Sequence, residues 1–189
     1  MTERSSIGLT SGTGRATPMA NCFELVVNFG ADIEAARTAA LKDPVPFVLC
    51  AGVHRIPLHR PMLRTVERHV ELSILPVAVA SGSLADGSLP RFQLTAAELT
   101  EIAHQLYRML AGFDGYVAAR VGWDPEDFVD LEELRTEWAE ELRDGTIPGL
   151  VLSDHLHAAF GLGAGYVEFA PGYRWIPYRY EGPGGPSTH

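Results

Sequence analysis

The stretch TAAELTEIAHQLYRMLAG (95–112) leaves this chain the fewest choices. Leu99, Ile102, Leu106 and Met109 recur at helical spacing, flanked by Ala103 and Leu110. One stripe of a cylinder must therefore find apolar cover. Thr95 and Glu98 stand at the separation of a capping box, in which each side chain accepts the other residue's backbone N–H. Gly112 can end the helix in a left-handed conformation.

Cover is available in short β-branched and aromatic runs. FELVVN (23–28), VPFVLC (45–50), HVELSILPVAVA (69–80), GYVAARVGW (115–123), IPGLVLS (147–153), GYVEFA (165–170) and YRWIPYRY (173–180) read as strands. Pro76 places the end of the third run at an edge or a bulge. Further helices are predicted over ADIEAARTAALKDP (31–44), stopped by Pro44, over 130–143, and over SDHLHAAF (153–160) with Ser153 as N-cap. The first strand, first helix and VPFVLC could form a βαβ unit, and VPFVLC has the continuous apolar character of a strand buried on both faces. Strands and helices are not strictly alternating. The expected class is α+β: a mixed, largely antiparallel sheet with helices packed on one face.

With 189 residues the chain suits one domain. Residues 1–20 and 182–189, rich in Gly, Ser, Thr and Pro, read as flexible tails around a domain at 21–181. GLTSGTGR (8–15) lacks both the Gly-Lys-Ser/Thr ending and the preceding strand of a phosphate loop. No secretory h-region and no long apolar run is present, which makes a cytoplasmic location the expectation. Cys22 and Cys50 are too few and too far apart for a disulfide framework or a metal knuckle, and read as small buried apolar residues.

The chain carries a net charge of −9, which disfavours nucleic acid and anionic membranes as partners. Nearly all of it comes from one place. Residues 124 to 144 of WDPEDFVDLEELRTEWAEELRDG hold ten acids and two arginines, a net −8. Asp124 can cap a short turn with Pro125 at its first position, and Asp130 with Glu133 can cap the helix that follows. There Leu131, Leu134, Trp138 and Leu142 share one face. Glu133, Glu137 and Glu141 form like-charge pairs four residues apart, which Arg135 and Arg143 offset only in part. No calcium-loop or Glu-x-x-His spacing appears, so neither a metal nor another cofactor is expected. The acids are either a solvated face or a docking face for a basic partner. On the docking reading the contact residues are Asp124, Glu126, Asp127, Glu133, Glu137, Glu140 and Glu141, with Trp123 and Trp175 as apolar anchors.

Two further groupings invite function. VHRIPLHRPMLRTVERH (53–69) is the one basic segment of any length. Its His54, Arg55, His59 and Arg60, together with His155 and His157, could line an anion pocket of a small enzyme or ligand-binding protein. The plainer alternative is a segment that pairs with the acids of the same chain. No nucleophile elbow accompanies Ser153, Asp154 and His155, and no catalytic residue is assigned. The C-terminal run Tyr166, Phe169, Tyr173, Trp175, Tyr178 and Tyr180, with Arg174 and Arg179 interleaved, is like a stacking platform for single strands. The acid excess speaks against that use. One face packed on the core and one partly wet, or a protein-binding hot spot, fits better.

VGWDPEDFVDLEELRTEWAEELRDGTIPGLVLSD (121–154) and APGYRWIPYRYE (170–181) give the chain a composition and layout that resemble the immunity proteins of bacterial polymorphic toxin systems. These stretches cover about a quarter of the chain. The resemblance implies a non-enzymatic inhibitor that masks a basic surface of a cognate toxin, often a nuclease, with an acidic helix in the place of phosphate.

Overall fold

The computed structural model describes residues 21–42, 48–66, 68–81 and 92–180. Both expected tails, the Pro44 helix stop, the start of the VPFVLC run and residues 82–91 lie outside the described residues.

Among the described residues ten strands and five helices follow one another as β1 (Asn21–Asn28), α1 (Ile33–Leu41), β2 (Val48–Ala51), β3 (His54–Pro57), β4 (Met62–Val66), β5 (His69–Ile74), β6 (Ala80–Ser81), α2 (Ala96–Leu110), β7 (Ala118–Trp123), α3 (Leu131–Thr136), α4 (Ala139–Asp144), β8 (Val151–Ser153), α5 (Asp154–Ala159), β9 (Val167–Ala170) and β10 (Tyr173–Trp175). A 3-10 turn, Glu126–Phe128, links β7 to α3. The main sheet runs β4-β5-β1-β7-β8-β10-β9, with β6 also on β1, and every pairing is antiparallel. The expected α+β class holds.

Among the described residues no βαβ unit forms, because β2 pairs with β3 in a hairpin of its own instead of joining β1. That hairpin has one covered side: Leu49 and Ala51 are buried, while Cys50 between them is exposed. The thiol expected inside is thus outside, and Cys22 is only half-buried.

Helices cover both faces of the sheet instead of one. The reason lies in β1, which is buried along both of its sides. Phe23, Leu25 and Val27 join a core with α1, α2 and the β2–β3 hairpin. Val26, one step out of phase, joins a second core with Phe128, Leu134, Leu142 and Leu156 from the 3-10 turn, α3, α4 and α5. Strand side chains alternate between faces, so β1 supplies both layers.

Helix α2 forms as its residues demand. Glu98 N–H donates to Thr95 Oγ1 at 3.3 Å and Thr95 N–H donates to Glu98 Oε2 at 2.8 Å. Leu99, Ile102, Ala103, Leu106 and Leu110 are buried as the stripe requires, but Met109 is replaced by Tyr107. The Tyr107 hydroxyl donates to Gly149 O at 2.7 Å and accepts from Val121 N–H at 3.0 Å. Gly149 has φ +78, and a Cβ there would stand 2.2 Å from that hydroxyl, so only glycine lets the ring come so near.

The acidic helix is broken in two. Thr136 Oγ1 donates back to Glu132 O at 2.9 Å, which loosens a helix end, and α3 stops. Trp138 turns with φ −108 to lie on Phe128, ring centroids 4.5 Å apart, and α4 starts behind it. Leu134 and Leu142 stay buried across the break, and Gly145 ends α4 in the left-handed region.

Candidate functional site

The second face of the sheet carries an unusual row of polar side chains. HVELSI alternates strictly, sending Val70, Leu72 and Ile74 into the first core and His69, Glu71 and Ser73 to the other side. Val26 lies opposite Ser73 and Asn28 opposite Glu71, so Glu24 and Asn28 of β1 share that side. Glu24, Asn28, His69, Glu71, Ser73 and Arg120 are all buried. Buried polar groups must be paired, and these are. Ser73 Oγ donates to Glu24 Oε2, and Asn28 Nδ2 donates to Val129 O at 2.7 Å. Glu71 is held from two sides, by Arg64 Nε at 2.6 Å and His69 Nε2 at 2.7 Å. Arg120 donates from Nε to Pro148 O at 3.2 Å and lies 4.1 Å over the Phe128 ring.

Along this row the chain leaves β7 and brings in its acids. Asp124, with φ +41, does not cap the turn as expected; its Oδ1 accepts from Cys22 N–H at 2.9 Å. Asp130 caps α3 as expected, accepting from Glu132 N–H at 2.7 Å and Glu133 N–H at 3.1 Å. The result is a groove of about 500 Å³ into which Asp124, Glu126, Asp127, Asp130 and Glu133 project opposite Glu24 and Glu71. Seven carboxylates meet one arginine among its lining residues. Arg64 reaches it from β4, 2.6 Å from Glu71 and 3.2 Å from Glu126. One arginine of the basic segment is thereby accounted for inside the fold.

The carboxyls register the crowding. Burial, opposed by the Ser73 hydrogen bond and reinforced by Glu126, pushes Glu24 up to about 7. Burial and then Glu126 raise Asp127, with Glu137, Asp124 and Asp130 adding to it. Glu133 is raised by burial and by Asp127, Asp130 and Glu137. Asp124 rises through burial and Glu126 against its hydrogen bond from Cys22, whose own thiol is raised by burial and by Glu24. Despite the number of carboxylates, no three His, Cys, Asp or Glu side chains among the described residues are placed to hold a metal ion.

Of the residues expected at a docking face, Asp124, Glu126, Asp127 and Glu133 line the groove. Glu137 sits exposed at the helix break, near enough to raise Asp127 and Glu133. Glu140 and Glu141 are exposed on α4 and do not line the groove. Among the described residues, none of these three has an ion-pair partner. Arg135, expected to offset them, instead lies 4.7 Å over the Phe160 ring. The two tryptophans lie elsewhere. Trp123 packs edge-on against Phe23 at 5.4 Å in the first core, because it precedes the Asp124 turn that carries the chain to the other face. Trp175 also packs against the first core.

The anion-pocket residues do not converge. His54 lies 3.8 Å from Glu98 and edge-on to Phe92, on the first face with the β2–β3 hairpin. Arg55, His59 and Arg60 are exposed. His155 is exposed on α5, on the second face, where His157 packs on Tyr166 at 5.0 Å. The His157 imidazole is held below its usual range by burial and by Arg174.

Sequence reasoning missed the polar partners of the groove, Glu24, Arg64, Glu71 and Asp130, as site residues. The signal for the first and third was present in the odd-even alternation of HVELSI and FELVVN. It also missed a cleft on the first face between α2, Cys50 of β2 and the β9–β10 hairpin. There Gln105 clamps the Cys50 backbone, accepting from its N–H at 2.9 Å and donating to its carbonyl at 2.6 Å. In the C-terminal hairpin Tyr166, Tyr173 and Tyr178 are buried, while Phe169 and Trp175 are half-exposed, so the run divides into core and wet sides.

Comparison with known proteins finds no matching family model, no matching curated protein and no matching solved structure. Among the described residues, no helix is long and apolar enough to cross a membrane.

Proposed function

We propose that this protein is a non-enzymatic binding protein whose acidic groove receives a cation-rich segment of a protein partner. The observation that carries the reading is the seven-to-one ratio of carboxylates to arginine in the groove. Such a concentration raises the local potential to several kT and steers a basic partner toward its mouth. The groove also crowds its carboxyls, and partial burial with mutual repulsion raises Asp124, Asp127 and Glu133. Lysine or arginine side chains entering it would regain for those carboxylates the pairing that burial has withdrawn.

The narrower form of the reading is a bacterial cytoplasmic immunity protein that neutralises a toxin by covering a basic surface. The resemblance of residues 121–154 and 170–181 supports it, as does the groove's likeness in charge to a phosphate backbone.

The test uses the purified protein and an arginine-rich peptide as probe, with association followed at several salt concentrations. The expected result is a fast on-rate that falls steeply with salt and collapses in the Asp127→Lys/Glu133→Lys variant. An on-rate indifferent to salt and to that double reversal would remove the groove as a docking site. For the narrower form, co-expression with the product of the adjacent gene is the informative experiment: rescue from toxicity that depends on Asp127 and Glu133 is expected.

A further inference from the structure

The first face holds a cleft of about 770 Å³ between α2 and the β9–β10 hairpin. Its wall is a set of three aromatic rings in mutual contact. Tyr107 and Trp175 are 5.2 Å apart, Phe169 and Trp175 5.2 Å, and Tyr107 and Phe169 6.1 Å. Tyr107 is pinned from behind by its two backbone hydrogen bonds, so the wall is pre-formed. Phe169 and Trp175 remain half-exposed beside it.

Three charges line the same cleft; Glu101 of α2 accepts from Gly52 N–H at 3.1 Å, which leaves two opposite ones from different elements, Arg108 from α2 and Glu168 from β9. Both are exposed, and among the described residues neither forms an ion pair, with the other or with anything else. An aromatic wall flanked by an unpaired guanidinium and an unpaired carboxylate complements a molecule with an apolar body and a charge of each sign. Guanidinium offers a carboxylate two parallel N–H donors, the carboxylate accepts from an ammonium, and the rings take the body. The volume lies in the range of small-molecule clefts and exceeds what one amino acid fills.

We propose that this cleft binds a short peptide with free termini and apolar side chains, its terminal carboxylate on Arg108 and its terminal ammonium near Glu168. The site lies across the sheet from the acidic groove and stands whether or not the groove docks a partner.

Leucyl-phenylalanine is the probe, titrated calorimetrically into the whole protein at up to about 10 mM, above the ~mM dissociation constant that so few contacts support. Its N-acetylated and C-amidated forms are titrated alongside. Saturable binding of the free dipeptide is expected, with each capped form weaker by about tenfold or more, the loss for one charge-assisted hydrogen-bonded contact. Arg108→Gln should abolish the preference over the amide while keeping that over the acetylated form, and Glu168→Gln the converse. Both side chains are exposed, and an unchanged melting midpoint verifies that each variant folds. Lack of saturable binding by the free dipeptide overturns the proposal. So do equal affinities for the three forms, or preferences that survive both substitutions.

Discussion

The two faces of the sheet handle charge in opposite ways. On the first, charged groups stay exposed around the aromatic cleft, and what is buried beneath them is ring and aliphatic side chain. On the second, the carboxylates of Glu24 and Glu71 are themselves buried, and Asp124, Asp127 and Glu133 line the same groove, where partial burial and mutual repulsion raise their pKa values. Exposed charge costs little and acts weakly; crowded, partly desolvated charge costs folding energy and acts at a distance. A chain that retains the second kind sacrifices stability there. The contrast favours the groove for long-range recognition and the cleft for short-range contact.

The largest expected effect breaks the contrast at its strongest point. Asp127→Lys/Glu133→Lys replaces two raised carboxyls with two cations beside Arg64. Association with an arginine-rich peptide at low salt should slow by about tenfold to a thousandfold, the span electrostatic steering covers. Stopped-flow fluorescence would measure it, and a change under twofold would mean that the groove's field does not reach approaching partners. The same double reversal should leave dipeptide binding in the cleft unaltered.

The first face should answer to hydrogen bonding instead. Tyr107→Phe keeps the ring wall but strips Gly149 O and Val121 N–H of a buried partner. A loss of about 1–3 kcal/mol of folding stability is expected from chemical denaturation, with no effect on peptide association at the groove. A loss below about 0.5 kcal/mol would show that water or neighbouring backbone replaces the hydroxyl.

Glu24 offers an effect of similar size with a distinct pH signature. Its carboxyl is raised by burial to about 7 in the folded chain, against an ordinary value of 4.5. The folded state therefore holds this proton more tightly than the unfolded state. The stability that the proton confers is complete below about pH 4.5 and is lost as pH climbs through 7. Glu24→Gln cannot lose it, so the variant should gain on the wild type by about 2–3 kcal/mol between pH 5 and pH 8. Urea denaturation at the two pH values measures the difference; a gain independent of pH would place the ionisation elsewhere. The groups facing Glu24 include Ser73, Arg64, Asp124 and Glu126, with Cys22 beside them. Ionised Glu24 adds to the groove's charge, so peptide association should also quicken over the same interval.

What could be read in advance was whatever rests on local periodicity. Helix α2 appeared with its capping box, β1 and β7 with their apolar runs, and α5 with Ser153 as its N-cap. The acid ridge was legible as charge density. Its environment was not, because the groove needs β4 and β5 to bring Arg64 and Glu71 against residues more than fifty positions away. The break at Trp138 was hidden for a related reason. The apolar stripe from Leu131 to Leu142 predicts a continuous helix, and only the Phe128 ring from the preceding turn reveals why Trp138 departs from it. Cys50 was misplaced because an apolar run cannot tell a central strand from one side of a two-stranded hairpin. The anion pocket failed likewise: Arg and His spacing says nothing about which face of a sheet each segment will cover.

The smallest expected effect asks whether charge alone, or charge within the groove, matters. Glu140 and Glu141 carry the same formal charge as Asp127 and Glu133 but lie on α4 outside the groove lining, exposed and with no ion pair among the described residues. Neutralising both with Glu140→Gln/Glu141→Gln should shift stability by less than about 0.5 kcal/mol, as befits exposed surface positions. The change should be neutral to slightly destabilising, since both acids sit in the first turn of α4, where negative charge complements the helix dipole. Peptide association should slow by under about threefold, because screening over a Debye length of ~10 Å at 0.1 M salt cuts off charges remote from the mouth. If this variant slows association as much as the Asp127/Glu133 reversal does, the ridge acts as a diffuse cloud and the groove has no special part in recognition.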